Sequence, residues 1–167
     1  CRQFMAGQLR HARGIYTLLA PTVNCLKRRR THTFSPTNIS WGTEDRTAFL
    51  RIKSGSAANR HIENRAPTAL SNPYLVGAAM LAAGLNGIEE ELELEPAANA
   101  PAEEDPSKEP LPSSMREALD GLESDAKLVE ALGQDFVTAY TTMRRYELQR
   151  FDDHVTDWER QEYTEVF

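Results

Sequence analysis

The sequence predicts an α+β fold in which helices back a small sheet that carries polar residues. Three observations lead there. Apolar residues recur at helical spacing at both ends of the chain, short runs between residues 38 and 65 alternate with period two, and an acidic, proline-rich tract separates the two regions. Met5, Leu9, Ala12, Tyr16 and Leu19 fit one helix that Pro21 stops. Residues 38–41 form a candidate strand. Residues 47–53 form another, with Ala48, Leu50 and Ile52 on one face and Thr47, Phe49 and Arg51 on the other. Residues 61–65 make a third extended run. Asn72 then caps a helix with Pro73 in its first turn and Gly87 at its end.

Beyond the tract, Ser114 and Glu117 make a capping box for a helix from Met115 to about Leu122. Asp125 caps the next helix, which ends at Gly133. Phe136, Ala139, Tyr140, Met143 and Tyr146 follow at helical spacing and read as one buried stripe, packing rather than a ligand box. Thr156 and Glu159 repeat the capping box ahead of Trp158, Tyr163 and Phe167.

Composition narrows the class. The chain has 167 residues, 40% hydrophobic and 26% charged, which excludes collagen, disulfide miniproteins and wholly disordered chains. Two cysteines, Cys1 and Cys25, are too few for a disulfide framework and lack zinc-site spacing, so a reducing, cytoplasmic setting is expected. The longest apolar stretch, residues 74–85, is about half the roughly 20 residues a membrane span needs, so no membrane partner is expected. The chain opens at Cys1 directly in a helical pattern and reads as a fragment.

The formal charge of -6 is unevenly spread. Residues 89–112 hold nine acids against Lys108, which is -8, so the rest of the chain carries +2. With five of the nine prolines, the tract reads as an extended exposed loop. The expected organisation is therefore residues 1–88 with the sheet and its polar groups, residues 89–112 as the loop, and residues 113–167 as a helical tail.

Candidate chemistry concentrates in the third run. Alternation places His61, Glu63 and Arg65 on one face and Ile62 and Asn64 on the other. Two readings fit: a solvated edge strand with a cross-strand ion pair, or a carboxylate for a divalent metal beside a cation for an anionic group. Arg46 and Arg51 bracket the preceding strand, and Lys27, Arg28, Arg29 and Arg30 form a basic run. Only Phe34 and Trp41 lie near that run and the chain is acidic overall, so nucleic acid is not the expected partner. Several Arg and one Glu drawn from separate segments better suit phosphate and carboxylate groups held around a metal.

The order of these residues resembles the glutamine synthetase family. The segments are Asn24-Cys25-Leu26-Lys27-Arg28, Pro36-Thr37-Asn38-Ile39-Ser40-Trp41-Gly42, Asp45-Arg46-Thr47-Ala48-Phe49-Leu50-Arg51-Ile52, Ile62-Glu63-Asn64-Arg65 and Ser71-Asn72-Pro73-Tyr74-Leu75, continued by Ala78-Ala79-Met80-Leu81-Ala82-Ala83-Gly84-Leu85-Asn86-Gly87-Ile88. The resemblance implies the C-terminal part of the family's catalytic domain, with a curved, mostly antiparallel sheet backed by helices. It implies an ATP-dependent ligase that phosphorylates the side-chain carboxylate of glutamate and lets ammonia or a larger amine displace the phosphate, with Mg2+ or Mn2+ as cofactor. It also implies a homo-oligomeric ring.

Carried over by position, Arg28 and Arg65 resemble the catalytic residues that hold glutamate and the transferred phosphoryl group. Arg46 and Arg51 resemble the cations on the ATP phosphates, and Glu63 a metal ligand. Where ammonia-using members carry a Glu in the loop after the Lys-Arg pair, this chain has Thr33-Phe34-Ser35-Pro36, which favours an amine with an alkyl body, as in the gamma-glutamyl polyamine or ethanolamine ligases. His61 stands where many members have Arg, and no Tyr lies between Tyr74 and Tyr140, where some bacterial members carry a regulatory tyrosine. The family's paired Glu ligands and His-containing metal motif precede the matching stretch, so this fragment alone is expected to be inactive. The alternative is a non-catalytic structural relative of the lengsin type.

Overall fold

The structure, a computed structural model, describes residues 1–164. Phe167, expected in the terminal aromatic group, lies outside the described residues. In chain order the elements are α1 (Arg2–Arg10), α2 (Ala12–Leu19), α3 (Val23–Lys27), β1 (Trp41–Thr43), β2 (Leu50–Lys53), β3 (His61–Asn64), α4 (Pro73–Glu89), a 3-10 turn (Ala102–Glu104), α5 (Met115–Ser124), α6 (Ala126–Leu132), α7 (Gln134–Asp152) and α8 (Asp157–Thr164). The α+β class is as expected. Its sheet has the order β1-β2-β3 and is mixed: β2 and β3 are antiparallel, but β1 runs parallel to β2, pairing Trp41 with Leu50 and Thr43 with Ile52.

The strands are shorter than period-two alternation suggests, for a local reason. Asp45 accepts from the backbone N–H and hydroxyl of Thr47 (2.8 and 2.7 Å), an Asx turn that bends residues 45–49 away from extended geometry. Ala48, Phe49 and Leu50 are consequently all buried instead of alternating. In residues 38–41, Asn38 bridges to Pro110 and gives its amide to the Ala102 carbonyl (2.6 Å), so pairing with the sheet begins only at Trp41.

The first helix is two. His11 sits between α1 and α2 in a non-helical conformation, with its ring held by Asp125 (2.7 Å) and Asn86 (2.7 Å). Around it Met5, Leu9, Ile15, Tyr16 and Leu19 join Leu119, Leu122 and Leu128 in one core. The α4 helix starts at Asn72 as expected, its side chain accepting from Tyr74 and Leu75, but it runs past Gly87 to Glu89. Gly87 serves a different need. A Cβ there would lie 2.6 Å from Gly7 Cα and closer still to the Gln3 carbonyl, so glycine lets α1 and α4 approach backbone to backbone.

Three caps in the tail stand where the sequence puts them. Ser114 accepts from Glu117 N–H, although the Glu117 carboxylate returns to Ser113 N–H (2.8 Å) and not to Ser114 as the expected box requires; Asp125 accepts from Leu128 N–H, and Thr156 and Glu159 bond reciprocally. Gly133 closes α6 with φ of 91°, a conformation open to glycine. The buried face of α7, however, is Val137, Tyr140 and Thr141, flanked by Arg144 and Leu148. Ala139, Met143 and Tyr146 are exposed. The helix is turned by about one residue from the most apolar stripe because Tyr140 docks on α2, its hydroxyl donating to the Thr17 carbonyl (2.8 Å).

The acidic tract is less open than its composition suggests. Ala98 N–H donates to Trp41 O, Ile39 N–H to Glu109 O and Leu111 N–H to Thr37 O, while Ala102 and Leu111 are buried. Backbone pairing with residues 37–41 anchors it where side-chain hydrophobicity alone would not.

Candidate active site

The polar face of β3 forms as the alternation requires. Glu63 lies directly opposite Arg51 across the β2–β3 pair, and Arg51 Nη1 donates to Glu63 Oε2 at 3.2 Å. Arg65 Nη1 donates to the other oxygen, Oε1, at 2.7 Å. Ile62 and Asn64 turn the opposite way, Ile62 onto the core and Asn64 to Gln8 Oε1 (3.0 Å). The cross-strand ion pair of an edge strand is thus present, and a second guanidinium joins it.

Arg65 is the hub. Its Nε donates to the Arg46 carbonyl (2.7 Å) and its Nη2 to the Phe34 carbonyl (3.2 Å), so one planar fork ties three segments together. Arg51 is held from its other side by Glu44 (2.8 Å), which also accepts from Lys53 and Ser54. Burial pushes the Glu63 carboxyl up, but the guanidinium groups of Arg65 and Arg51 outweigh it and hold the group below the usual carboxylate range. Lys53, Ser54 and Arg51 hold exposed Glu44 down to about 2. Burial likewise opposes the Arg51 charge, and Glu44 and Glu63 overcome it.

A cleft of about 340 Å³ opens beside this cluster, lined by Arg28, Thr33, Phe34, Ser35, Glu63 and Arg65 among others. Three of the five sequence-derived site residues, Arg28, Glu63 and Arg65, therefore share one cavity. Arg51 reaches it only through Glu63. Arg46 contributes its carbonyl to Arg65, while its guanidinium is exposed and makes no hydrogen bond or ion pair among the described residues. His61 does not line the cleft, and its ring is bonded to the Asn59 carbonyl (2.7 Å). The basic run is divided rather than continuous: Arg28 lines the cleft, Lys27 stacks over Phe151 and Arg29 over Tyr16, where burial lowers Arg29 to about 9. Glu44 was not apparent from sequence, because it lies in a turn with φ of 58°, outside any alternation.

Convergent guanidinium groups around a cleft suit an anion with phosphate or carboxylate oxygens. The described residues do not by themselves make a metal centre. No group of three or more His, Cys, Asp or Glu that could hold a metal ion occurs among them, and both oxygens of Glu63 already accept from arginines. Nor is any helix among them long and apolar enough to cross a membrane.

A family model described as glutamine synthetase, catalytic domain, matches residues 1–163. The chain belongs to the glutamine synthetase family. Among curated relatives it is 41% identical over 159 residues to a gamma-glutamylethanolamide synthetase of Streptomyces coelicolor, covering 95% of this chain and 34% of that protein. It is 37% identical to a glutamine synthetase of Methanocaldococcus jannaschii, covering 98% and 37%, and 36% identical to lengsin of Rattus norvegicus, covering 99% and 30%. It thus spans about a third of the length of these relatives. Among solved structures, a GmaS/ADP complex superposes with a TM-score of 0.84 at 31% identity, covering 98% of this chain and 39% of that one. The glutamine synthetase fold therefore accounts for the mixed sheet and its helices together.

Proposed function

We propose that this chain is part of an ATP-dependent glutamate–amine ligase whose acceptor is an amine larger than ammonia. The observation that carries the reading is the Arg28, Glu63 and Arg65 cleft within a glutamine synthetase catalytic domain. In the proposed reaction an oxygen of the glutamate side-chain carboxylate attacks the terminal phosphorus of ATP and ADP leaves. The amine nitrogen then attacks the acyl carbon, phosphate leaves, and the nitrogen gives up a proton. Such transfer asks the protein for positioning and charge neutralisation more than for covalent chemistry. Arg28 and Arg65 hold the glutamate carboxylate and the transferred phosphoryl group. Arg46, with an exposed guanidinium, meets the ATP phosphates. Arg51, already paired with Glu44 and Glu63, supports the same nucleotide side with its remaining N–H groups. Glu63 contributes one carboxylate to a Mg2+ or Mn2+ site whose other ligands come from outside the described residues.

Phe34 supports the larger acceptor. Phe34 is 60% exposed and lines the cleft, where a carboxylate would favour an ammonium cation and a phenyl ring instead favours an alkyl body. The similarity to a gamma-glutamylethanolamide synthetase is in keeping with this. A homo-oligomeric ring, proposed for the intact protein, would cover the apolar side chains left exposed on α4, among them Tyr74, Leu81 and Leu85.

The test is ADP release by the intact protein with ATP, glutamate and Mg2+, comparing ammonium with ethanolamine, putrescine and spermidine. Turnover confined to the larger amines is expected, and preference for ammonium would overturn the acceptor assignment. Arg65→Ala should lower the rate about 10²–10³-fold, as removal of a donor that stabilises developing charge does elsewhere. A second reading, a non-catalytic relative, draws on the lengsin similarity and on the absence of His61 from the cleft lining. Silence with every amine would select it.

A further inference from the structure

The acidic tract reaches the loop beside the cleft through Glu103. The 3-10 turn Ala102–Glu104 is seated in the loop after residue 37: Ala102 is fully buried, its N–H donates to Asp45 Oδ2 (2.8 Å), its carbonyl accepts from Asn38 (2.6 Å), and Glu103 N–H donates to Thr47 Oγ1 (3.2 Å). From this base the Glu103 side chain, only 5% exposed, extends to residues 28–36. Its Oε2 accepts from the backbone N–H of His32 at 2.9 Å, and its Oε1 lies 3.7 Å from His32 Nδ1.

That contact falls where the loop needs support. His32 and Phe34 both adopt left-handed conformations, with φ of 65° and 56°, which side-chain-bearing residues adopt at a cost. Turns elsewhere in the loop are closed by Thr33, whose hydroxyl donates to the Arg30 carbonyl (2.6 Å). From the cleft side Arg65 holds the Phe34 carbonyl. The loop is therefore gripped from two directions: by a cation of the site itself, and by a carboxylate from the tract.

We propose that Glu103 is a positioning residue, which holds the His32 backbone N–H and so fixes the loop that presents Phe34 at the acceptor side of the cleft. The acceptor half of this inference rests on the ligase reading above. A charge-assisted bond to a backbone N–H is among the stronger ones available to a surface loop. Because Glu103 touches the loop backbone rather than any reacting group, losing it should loosen the amine subsite and leave the nucleotide side intact.

The experiment is amide hydrogen exchange on the intact protein, following residues 29–35, with kinetics of amine and ATP run in parallel. Glu103→Ala, and Glu103→Asp, which keeps the charge but is one methylene too short, should each speed exchange in the loop about tenfold or more while α4 exchange stays unchanged. Glu103→Gln, whose amide oxygen still accepts, should restore most of the protection. With ethanolamine as acceptor the first two variants should raise its KM severalfold and leave the KM for ATP alone. Unchanged loop exchange in both Ala and Asp variants overturns the inference, as does faster exchange with no change in amine KM. If Glu103→Ala loosens α4 too, the Gln and Asp variants decide: equal loop exchange in these two overturns the inference. Faster loop exchange in a protein that turns over no amine leaves the Glu103 contact standing and counts against the ligase reading instead.

Discussion

The contact between α1 and α4 and the cluster around Glu63 are held by opposite means. Where the helices meet, Gly7 lies against Gly87, Phe4 covers Gly84, and Met5, Ala79 and Ala83 are buried around them, so the join depends on shape. Around Glu63, three cations and two carboxylates face one another at partly exposed positions, so the join depends on charge. Close packing tolerates almost no added volume, whereas exposed ion pairs contribute little to stability and can exchange partners. One region therefore supplies rigidity and the other a surface that can give up a bond to a ligand.

The sharpest way to break the contrast is to add a single carbon on the helical side. Gly87→Ala would drive a Cβ into the Gln3 carbonyl and the Gly7 backbone, neither of which is a movable side-chain end. A loss of about 3 kcal/mol or more in denaturant unfolding is expected, with a fall in soluble yield. A midpoint within error of the parent would show that α1 and α4 can slide apart, and the distinction between the two regions would fail.

His11 tests whether charge ever supports the helical side. Burial lowers its pKa, but hydrogen bonds to Asp125 and Asn86 outweigh this and raise it above the ordinary 6.5. Because the folded value is the raised one, the stabilisation is fully present below about pH 6.5 and is lost as pH rises through the folded value. His11→Leu should cost about 2 kcal/mol at pH 6, leaving Asp125 and Asn86 without their buried partner, and should flatten the loss of stability as pH rises above about 6.5. An unchanged slope would assign that dependence to other groups.

The cleft predicts the reverse pattern. Glu63→Gln keeps the shape and one acceptor for Arg65, so unfolding at pH 7 should shift by less than about 1 kcal/mol while ADP release falls steeply. The folded pKa of Glu63 is depressed, so its small contribution is present above about pH 4.3 and fades as pH falls through the folded value. A large stability loss at neutral pH would make the cluster a structural staple.

What the sequence reveals follows the same division. Caps at Asn72, Ser114, Asp125 and Thr156 are legible because each is a short-range bond between residues two or three apart. The Glu63 and Arg65 face was legible from period two and was given roles by the family resemblance. Glu44 and Glu103 were not, since a carboxylate in a turn or an acidic tract carries no sign of the distant cation or backbone N–H it will meet. The break at His11 was hidden because Asp125, 114 residues away, holds the ring. Gly87 resembles a stop because a glycine near a helix end looks the same whether it caps or packs.

The smallest expected effect concerns α7, whose apolar residues suggest one face and whose packing uses another. Its buried face is set by Tyr140, which reaches the Thr17 carbonyl, with Val137 one turn before it. Met143 and Tyr146 are 48% and 62% exposed. Met143→Lys should therefore change unfolding of this chain by no more than about 0.5 kcal/mol, against about 2 kcal/mol for Val137→Ala. The pair separates two causes of orientation. If apolar content alone turned the helix, Met143→Lys would be the costly substitution; if one hydrogen-bonded aromatic turns it, Val137→Ala is, and the exposed Met143 and Tyr146 stripe is available for contacts beyond this chain.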